Sequence, residues 1–193
     1  MTDLNQAIAF ADQSVIARGP VPEVARRIRE ALDAGEIRPI AVFDAATSDP
    51  IDLDLRGTPD EAAARAEAML AARAAQAARK RPGRPRLGVV AREVTLLPRH
   101  WDWLNTQRGG ASAALRRLVD TARKQNHDSY RIRRTQDVAH RFMFAVAGDL
   151  PGFEEAARSL YAWDLPRLEE HMADWPRDVA DHVREIVARC GEA

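Results

Sequence analysis

The chain has a single cysteine, Cys190, which excludes an internal disulfide framework and a cysteine-based zinc site. Aromatic residues make up only 6% of it. No apolar run approaches the ~20 residues that a membrane helix needs. Behind Met1-Thr2-Asp3 there is no basic segment followed by an apolar one, so no secretory signal is visible. The expectation is a soluble protein in a reducing cytoplasm, with no membrane partner. Net charge is also lacking, because 29 basic and 29 acidic side chains cancel. What is present is ordinary for a folded chain: 193 residues, 46% apolar and 30% charged. That composition excludes wholesale disorder, and the length fits one large domain or two small ones.

The zero charge conceals three unlike parts. Residues 1–78 carry 8 basic and 13 acidic side chains, residues 79–134 carry 15 and 4, and residues 135–193 carry 6 and 12. The middle is therefore at +11 between flanks at −5 and −6. From Ala68 to Arg92 there is no acid at all. Asymmetry of this kind points to a polyanion partner. The alternative is that the basic middle folds against its own acidic flanks.

The N-terminal part reads as a compact α+β unit. Ile8-Ala9-Phe10 and Val15-Ile16-Ala17 flank the turn-like Asp12-Gln13-Ser14 and predict a hairpin. Pro20-Val21-Pro22 opens a helix with Val21, Val24, Ile28, Ala31 and Leu32 on one face, and Gly35 ends it. Ile40 to Phe43 has a buried-strand pattern. Ile51, Leu53 and Leu55 alternate with Asp52, Asp54 and Arg56, as in a strand with one wet face. The expected order over residues 1–57 is ββαββ.

Residues 58–86 read as a spacer and a linker. Thr58 and Glu61 form a capping box around Pro59 at the first helical position. From Ala62 to Ala78, 11 of 17 residues are alanine, which gives helix propensity but little to bury. This predicts a helical spacer rather than a core helix. It ends at Lys80-Arg81-Pro82-Gly83-Arg84-Pro85-Arg86, where two prolines and a glycine break it.

Residues 87–126 carry the most informative pattern. Leu87 to Leu97 is rich in β-formers, strongest at Val94-Thr95-Leu96-Leu97, and Pro98 stops it. A short helix follows to Gln107 through Trp101 and Leu104. Gly109-Gly110 breaks it, and Ser112 suits the cap of a second helix. Leu115, Leu118, Val119 and Ala122 would face in, opposite Arg116, Arg117 and Arg123. Residues 127–193 read as helical. Val138, Phe142, Ala145 and Val146 mark one helix. Asp149-Leu150-Pro151, Asp164-Leu165-Pro166 and Asp174-Trp175-Pro176 share a form, an Asp cap with Pro in the first turn, and predict three more.

An enzyme is not expected. None of the five histidines, His100, His127, His140, His171 and His182, stands in a metal-ligand spacing. There is no Gly-rich phosphate loop and no nucleophile elbow, and no cofactor is implied. Trp101 and Trp103 read as core or dimer contacts.

Strand, Pro, helix, glycine turn and Arg-rich helix in that order resemble the ribbon-helix-helix DNA-binding fold. The resemblance implies a homodimer in which each chain gives the strand near Val94–Leu97 to an antiparallel ribbon in the major groove. It would put Ser112 on a phosphate at the helix start, with Arg116 and Arg117 near the backbone. If Val94 and Leu96 face the core, Glu93, Thr95 and Leu97 face the duplex. Thr95 can contact bases, whereas Glu93 repels phosphate unless it accepts from cytosine. Arg92 and Arg99 flank the strand. The alternative is a small helical hairpin behind a core strand. Arg81-Pro82-Gly83-Arg84-Pro85-Arg86 resembles the Gly-Arg-Pro core of an AT-hook, with Pro82 where the hook has arginine. Arg81, Arg84 and Arg86 would then enter a minor groove. The alternative there is a flexible basic linker.

The chain also resembles a bacterial family, domain of unknown function 2239. The resemblance rests on Gly83-Arg84-Pro85, Leu87 to Trp101, Gly109-Gly110-Ala111-Ser112 and Ala147 to Glu154. The expectation is thus an α+β protein with an N-terminal ββαββ unit, a central ribbon-helix-helix-like module and a C-terminal helical unit. Its expected role is that of a dimeric protein bound to double-stranded DNA, a transcriptional regulator. The alternative is an antitoxin-like or adaptor module whose basic segment binds an acidic protein.

Overall fold

The computed structural model describes residues 5–79, 92–125 and 127–190. The chain is α+β and mostly helical, with a three-stranded antiparallel sheet near its N-terminus and eight helices among the described residues. It divides into two compact units, residues 1–80 with 132–193, and residues 81–131.

In the first unit β1 (Gln6–Ala11) lies between β2 (Ser14–Pro20) and β3 (Ile40–Asp44) and runs antiparallel to both. The hairpin turns at Asp12 and Gln13, with Asp12 in the left-handed region at φ 52°. Ala9 pairs with Ala17 and Phe10 with Val15, so Ile16 is the extra residue of a bulge. Successive β1 side chains point to opposite faces and feed two separate cores. Ala7 and Ala9 join one, and Ile8 and Phe10 join the other.

The alanine face is covered by α1 (Val21–Asp33), which buries Val21, Val24, Ala25 and Ile28. α2 (Pro59–Arg79) packs beside it. The capping box forms as expected: the Thr58 N–H donates to Glu61 Oε2 at 2.8 Å, and the Glu61 N–H donates to Thr58 Oγ1 at 3.3 Å. The expectation of a mere spacer holds only for the second half of α2. Ala62, Ala63 and Ala66 are buried, while residues 71–76 are exposed. Alanine's small volume is what lets the first half lie close against α1.

The segment from Ile51 to Leu55 corrects a second expectation. Its alternation is real in burial, with Ile51 buried, Leu53 and Leu55 half-buried, and Asp52 and Asp54 exposed. It is not a fourth strand. One bridge joins Phe43 to Pro50, and the Ile51 N–H donates to Val42 O at 2.8 Å. Beyond that, the Asp54 carboxylate turns back onto its own Arg56 at 2.7 Å, and the segment packs on the helices without a ladder.

The large face of the sheet is covered by the C-terminal helices α5 (His127–Ala147, of which the first unit holds the part from Ile132), α6 (Phe153–Ala162), α7 (Leu165–His171) and α8 (Arg177–Ala188). Phe142 of α5 sets this core, with its ring 5.2 Å from Phe10, 5.6 Å from Phe43 and 4.5 Å from His182. Edge strand β2 is tied to α8 twice. The Val15 N–H donates to Asp178 at 2.8 Å, and Arg18 holds both oxygens of Glu185. Only Asp164 of the three expected Asp caps works as one, accepting from the Arg167 N–H at 3.2 Å. α6 starts three residues later than expected, behind Gly152 at φ 78°. α8 starts behind Pro176, because Trp175 is drawn inward and donates to Pro151 O at 2.9 Å.

Ser48, in the loop after β3, holds a left-handed φ of 54°, is fully buried, and its hydroxyl has no partner among the described residues. Glycine adopts this backbone without strain and removes the stranded hydroxyl. Ser48→Gly is expected to stabilise the protein by about 1 kcal/mol in urea titration. A loss of stability would show that the hydroxyl is satisfied.

In the second unit, residues 92–97 form no strand, and Leu87–Ala91 lie outside the described residues. The expected strand therefore has no ladder among the described residues. α3 (Pro98–Asn105) begins at proline in the first helical position, with Leu97 extended before it. α4 (Gly110–Gln125) follows a turn through Gly109 and Gly110, at φ 90° and 74°. Leu104 and Ala114 bury in this helical hairpin. Ser112 lies inside the first turn of α4 rather than capping it, because the glycine pair starts the helix three residues early.

Candidate nucleic-acid interface

The residues expected to face DNA fall into separate places. Arg81, Arg84 and Arg86, and with them the Gly-Arg-Pro arm, lie outside the described residues. Arg92 and Thr95 are exposed on the segment before α3, and Arg99 is exposed at the start of α3. Ser112, Arg116 and Arg117 share the first two turns of α4, all exposed.

Most first-unit arginines hold carboxylates, although Arg73, Arg133, Arg134 and Arg189 there make no ion pair among the described residues. In the first unit Arg18, Arg26, Arg38, Arg56, Arg141 and Arg184 each face a carboxylate at 2.5 to 2.8 Å. In the second, Arg92, Arg99, Arg108, Arg116, Arg117 and Arg123 make no ion pair among the described residues. Instead the Arg116 Nε–H donates to Ser112 O at 3.1 Å, and Arg117 Nη2 donates to Arg108 O at 2.9 Å. A backbone carbonyl positions a guanidinium without neutralising it. The charge stays available to an outside anion. α4 also has no acidic residue in its first turn, so no side-chain charge opposes the positive end of its dipole. The Gly110 N–H is spent on Gln107 O at 3.0 Å, and Ser112 and the two held guanidiniums lie at the same helix end.

The second unit also leaves apolar surface uncovered. Leu115 is half-buried, but Leu118 is exposed and Val119 is 54% exposed. The apolar face expected on α4 is thus left partly uncovered among the described residues. Trp103 is 51% exposed, and Val94, Leu97 and Trp101 are exposed as well, so the two tryptophans are not core residues of this chain. Arg108 and Arg123 are exposed with no ion pair among the described residues, and the sequence signals this only through its shortage of acids, 4 for 15 cations in residues 79–134.

Among the described residues, no three or more His, Cys, Asp and Glu side chains cluster as metal ligands. Nor is any helix long and apolar enough to cross a membrane. Fold and surface together define an α+β protein whose helical second unit presents unpaired arginines. The family model described as an uncharacterized protein conserved in bacteria, domain of unknown function 2239, matches residues 6–187, and the chain belongs to that family. No curated protein and no solved structure matches it.

Proposed function

We propose that the protein is a dimeric DNA-binding protein, a transcriptional regulator, that engages the duplex through its second unit. The observation that carries this reading is the set of exposed arginines with no carboxylate partner, two of them held on backbone carbonyls beside the start of α4. Phosphate is the anion such a cluster suits, because several guanidiniums and helix N–H groups meet a repeating charge. Ser112, Arg116 and Arg117 would hold the backbone, with Arg92 and Arg99 beside them. Two chains would pair Val94–Leu97 antiparallel and cover Val94, Leu118 and Val119. Thr95 would then face the bases, and Arg81, Arg84 and Arg86 would reach the minor groove.

Light scattering on the protein with a short duplex at low salt tests the stoichiometry. The expected complex holds two chains per duplex. One chain per duplex would remove the ribbon from the account. No complex at all would move the search to an acidic protein partner for the same cations.

A further inference from the structure

α5 carries a second uncovered surface, in the first unit. Arg133, Asp137, His140 and Phe144 recur at i, i+4, i+7 and i+11, the spacing of one helix face. Phe144 is 69% exposed, and Tyr161 of α6 beside it is 50% exposed. His140 sits at the centre of this group, with its ring 6.3 Å from Phe144 and 5.3 Å from Tyr161. Arg133 and Asp137 form no ion pair among the described residues. Exposed rings gathered in this way, beside two charges that make no ion pair among the described residues, mark a docking surface.

The order of the four residues selects the occupant. Along the stripe they run basic, acidic, imidazole, aromatic. When two copies of the helix lie antiparallel about a two-fold axis between positions 138 and 139, Asp137 falls opposite His140 of the second copy. Arg133 then falls opposite its Phe144. The first pair is a carboxylate–imidazole hydrogen bond, and the second sets a guanidinium on a ring face. Symmetry repeats both pairs, as an isologous contact requires. A parallel pairing would instead oppose Arg133 to Arg133 and Asp137 to Asp137. We propose that this face of α5 is a homodimer contact, in which two copies pack antiparallel through Arg133, Asp137, His140 and Phe144. The contact lies in a different unit from the Val94–Leu97 segment and does not depend on DNA.

Sedimentation equilibrium of the full chain tests it, with thermal melting to confirm that each variant is folded. Phe144→Ser and Asp137→Lys should each weaken self-association about tenfold. Exchanging the pair, Asp137→His with His140→Asp, should return the dissociation constant to within about threefold of the parent, because an antiparallel two-fold restores the same contact with the partners swapped. An unchanged dissociation constant in Phe144→Ser overturns the proposal, and so does an exchange variant as weak as the single ones. Val94→Ser reports on the other contact. A dimer lost only in Val94→Ser refutes the α5 contact and leaves the ribbon. A dimer lost only in Phe144→Ser supports the α5 contact and refutes the ribbon. A parent chain that is monomeric at high concentration overturns both.

Discussion

Replacing Arg116 and Arg117 together by alanine is expected to lower duplex affinity by about 30- to 100-fold at low salt, the loss of two charge-assisted phosphate contacts. The slope of log K against log salt should fall by about 2, since each neutralised phosphate contributes ~0.9. Folding should be spared. Both side chains are exposed, their bonds go only to local carbonyls, and alanine favours the helix. The control is Arg177→Ala, which removes another exposed arginine, one that pairs with Asp181 at 3.4 Å. It should leave affinity and slope unchanged. An equal loss in both variants would mean that the duplex senses net charge and not the α4 cluster. Parent affinity in the double variant would remove α4 from the interface.

Stability is expected to fall as the medium is acidified from pH 6.5 towards 4, and His182 is the cause. Its ring is buried against Phe10 and Phe142, and its Nε2 has no partner among the described residues. Nδ1 lies 3.4 Å from Glu185. Burial pushes its pKa down from 6.5 to about 4, outweighing the raising effect of Glu185, while Arg18 and Arg189 add to the fall. Between those values the unfolded chain binds the proton and the folded chain does not. The contribution is therefore complete above pH 6.5 and is lost as the pH drops. Going from pH 7.5 to 5 should cost about 2 kcal/mol, approaching 3 kcal/mol near pH 4. Burial pushes the Glu185 carboxyl up, but Arg18 and His182 together outweigh it and hold it below its ordinary value, so its contribution to stability is also lost as the pH falls. His182→Leu should flatten the dependence between pH 7.5 and 5. At pH 7.5 it should change stability by less than about 1 kcal/mol, because the lost Glu185 bond is offset by removal of the unpartnered nitrogen. Urea midpoints at the two pH values measure this. A parent midpoint that does not move, or a variant that keeps the slope, contradicts the assignment.

The places where sequence was legible share a physical reason. Local rules decided them. The capping box at Thr58, the Asp164 cap, the hairpin at Asp12 and the glycine break at Gly109 involve neighbours within four residues. Each formed as the spacing required, although Ser112 lost the cap to the glycines. Long-range competition decided the rest. The alternation of Ile51, Leu53 and Leu55 is the pattern of a half-buried strand, but packing against α1 and α2 satisfies it equally well without a ladder. The alanines of α2 looked too small to bury, yet smallness is what close contact with α1 needs. Asp174 has the composition of a cap, but burial of Trp175 moved the helix start past it.

The candidate interface divides along the same line. Charge excess in the middle of the chain was countable, and the arginines it named are exposed where they are described. Which cations lack a carboxylate is a property of three-dimensional neighbours, so Arg108 and Arg123 emerged only with the structure. The exposed stripe on α5 was likewise hidden, because Phe144 continues the apolar run Phe142-Met143 and its outward position depends on the helix phase.

Fluorescence anisotropy of the full chain on the duplex upstream of its own gene and on a scrambled duplex, across a salt series, tests the central claim most directly. The account predicts tight binding to the upstream duplex, a slope of ~0.9 per phosphate contact, and clear discrimination against the scramble. No binding to either duplex at low salt would contradict it.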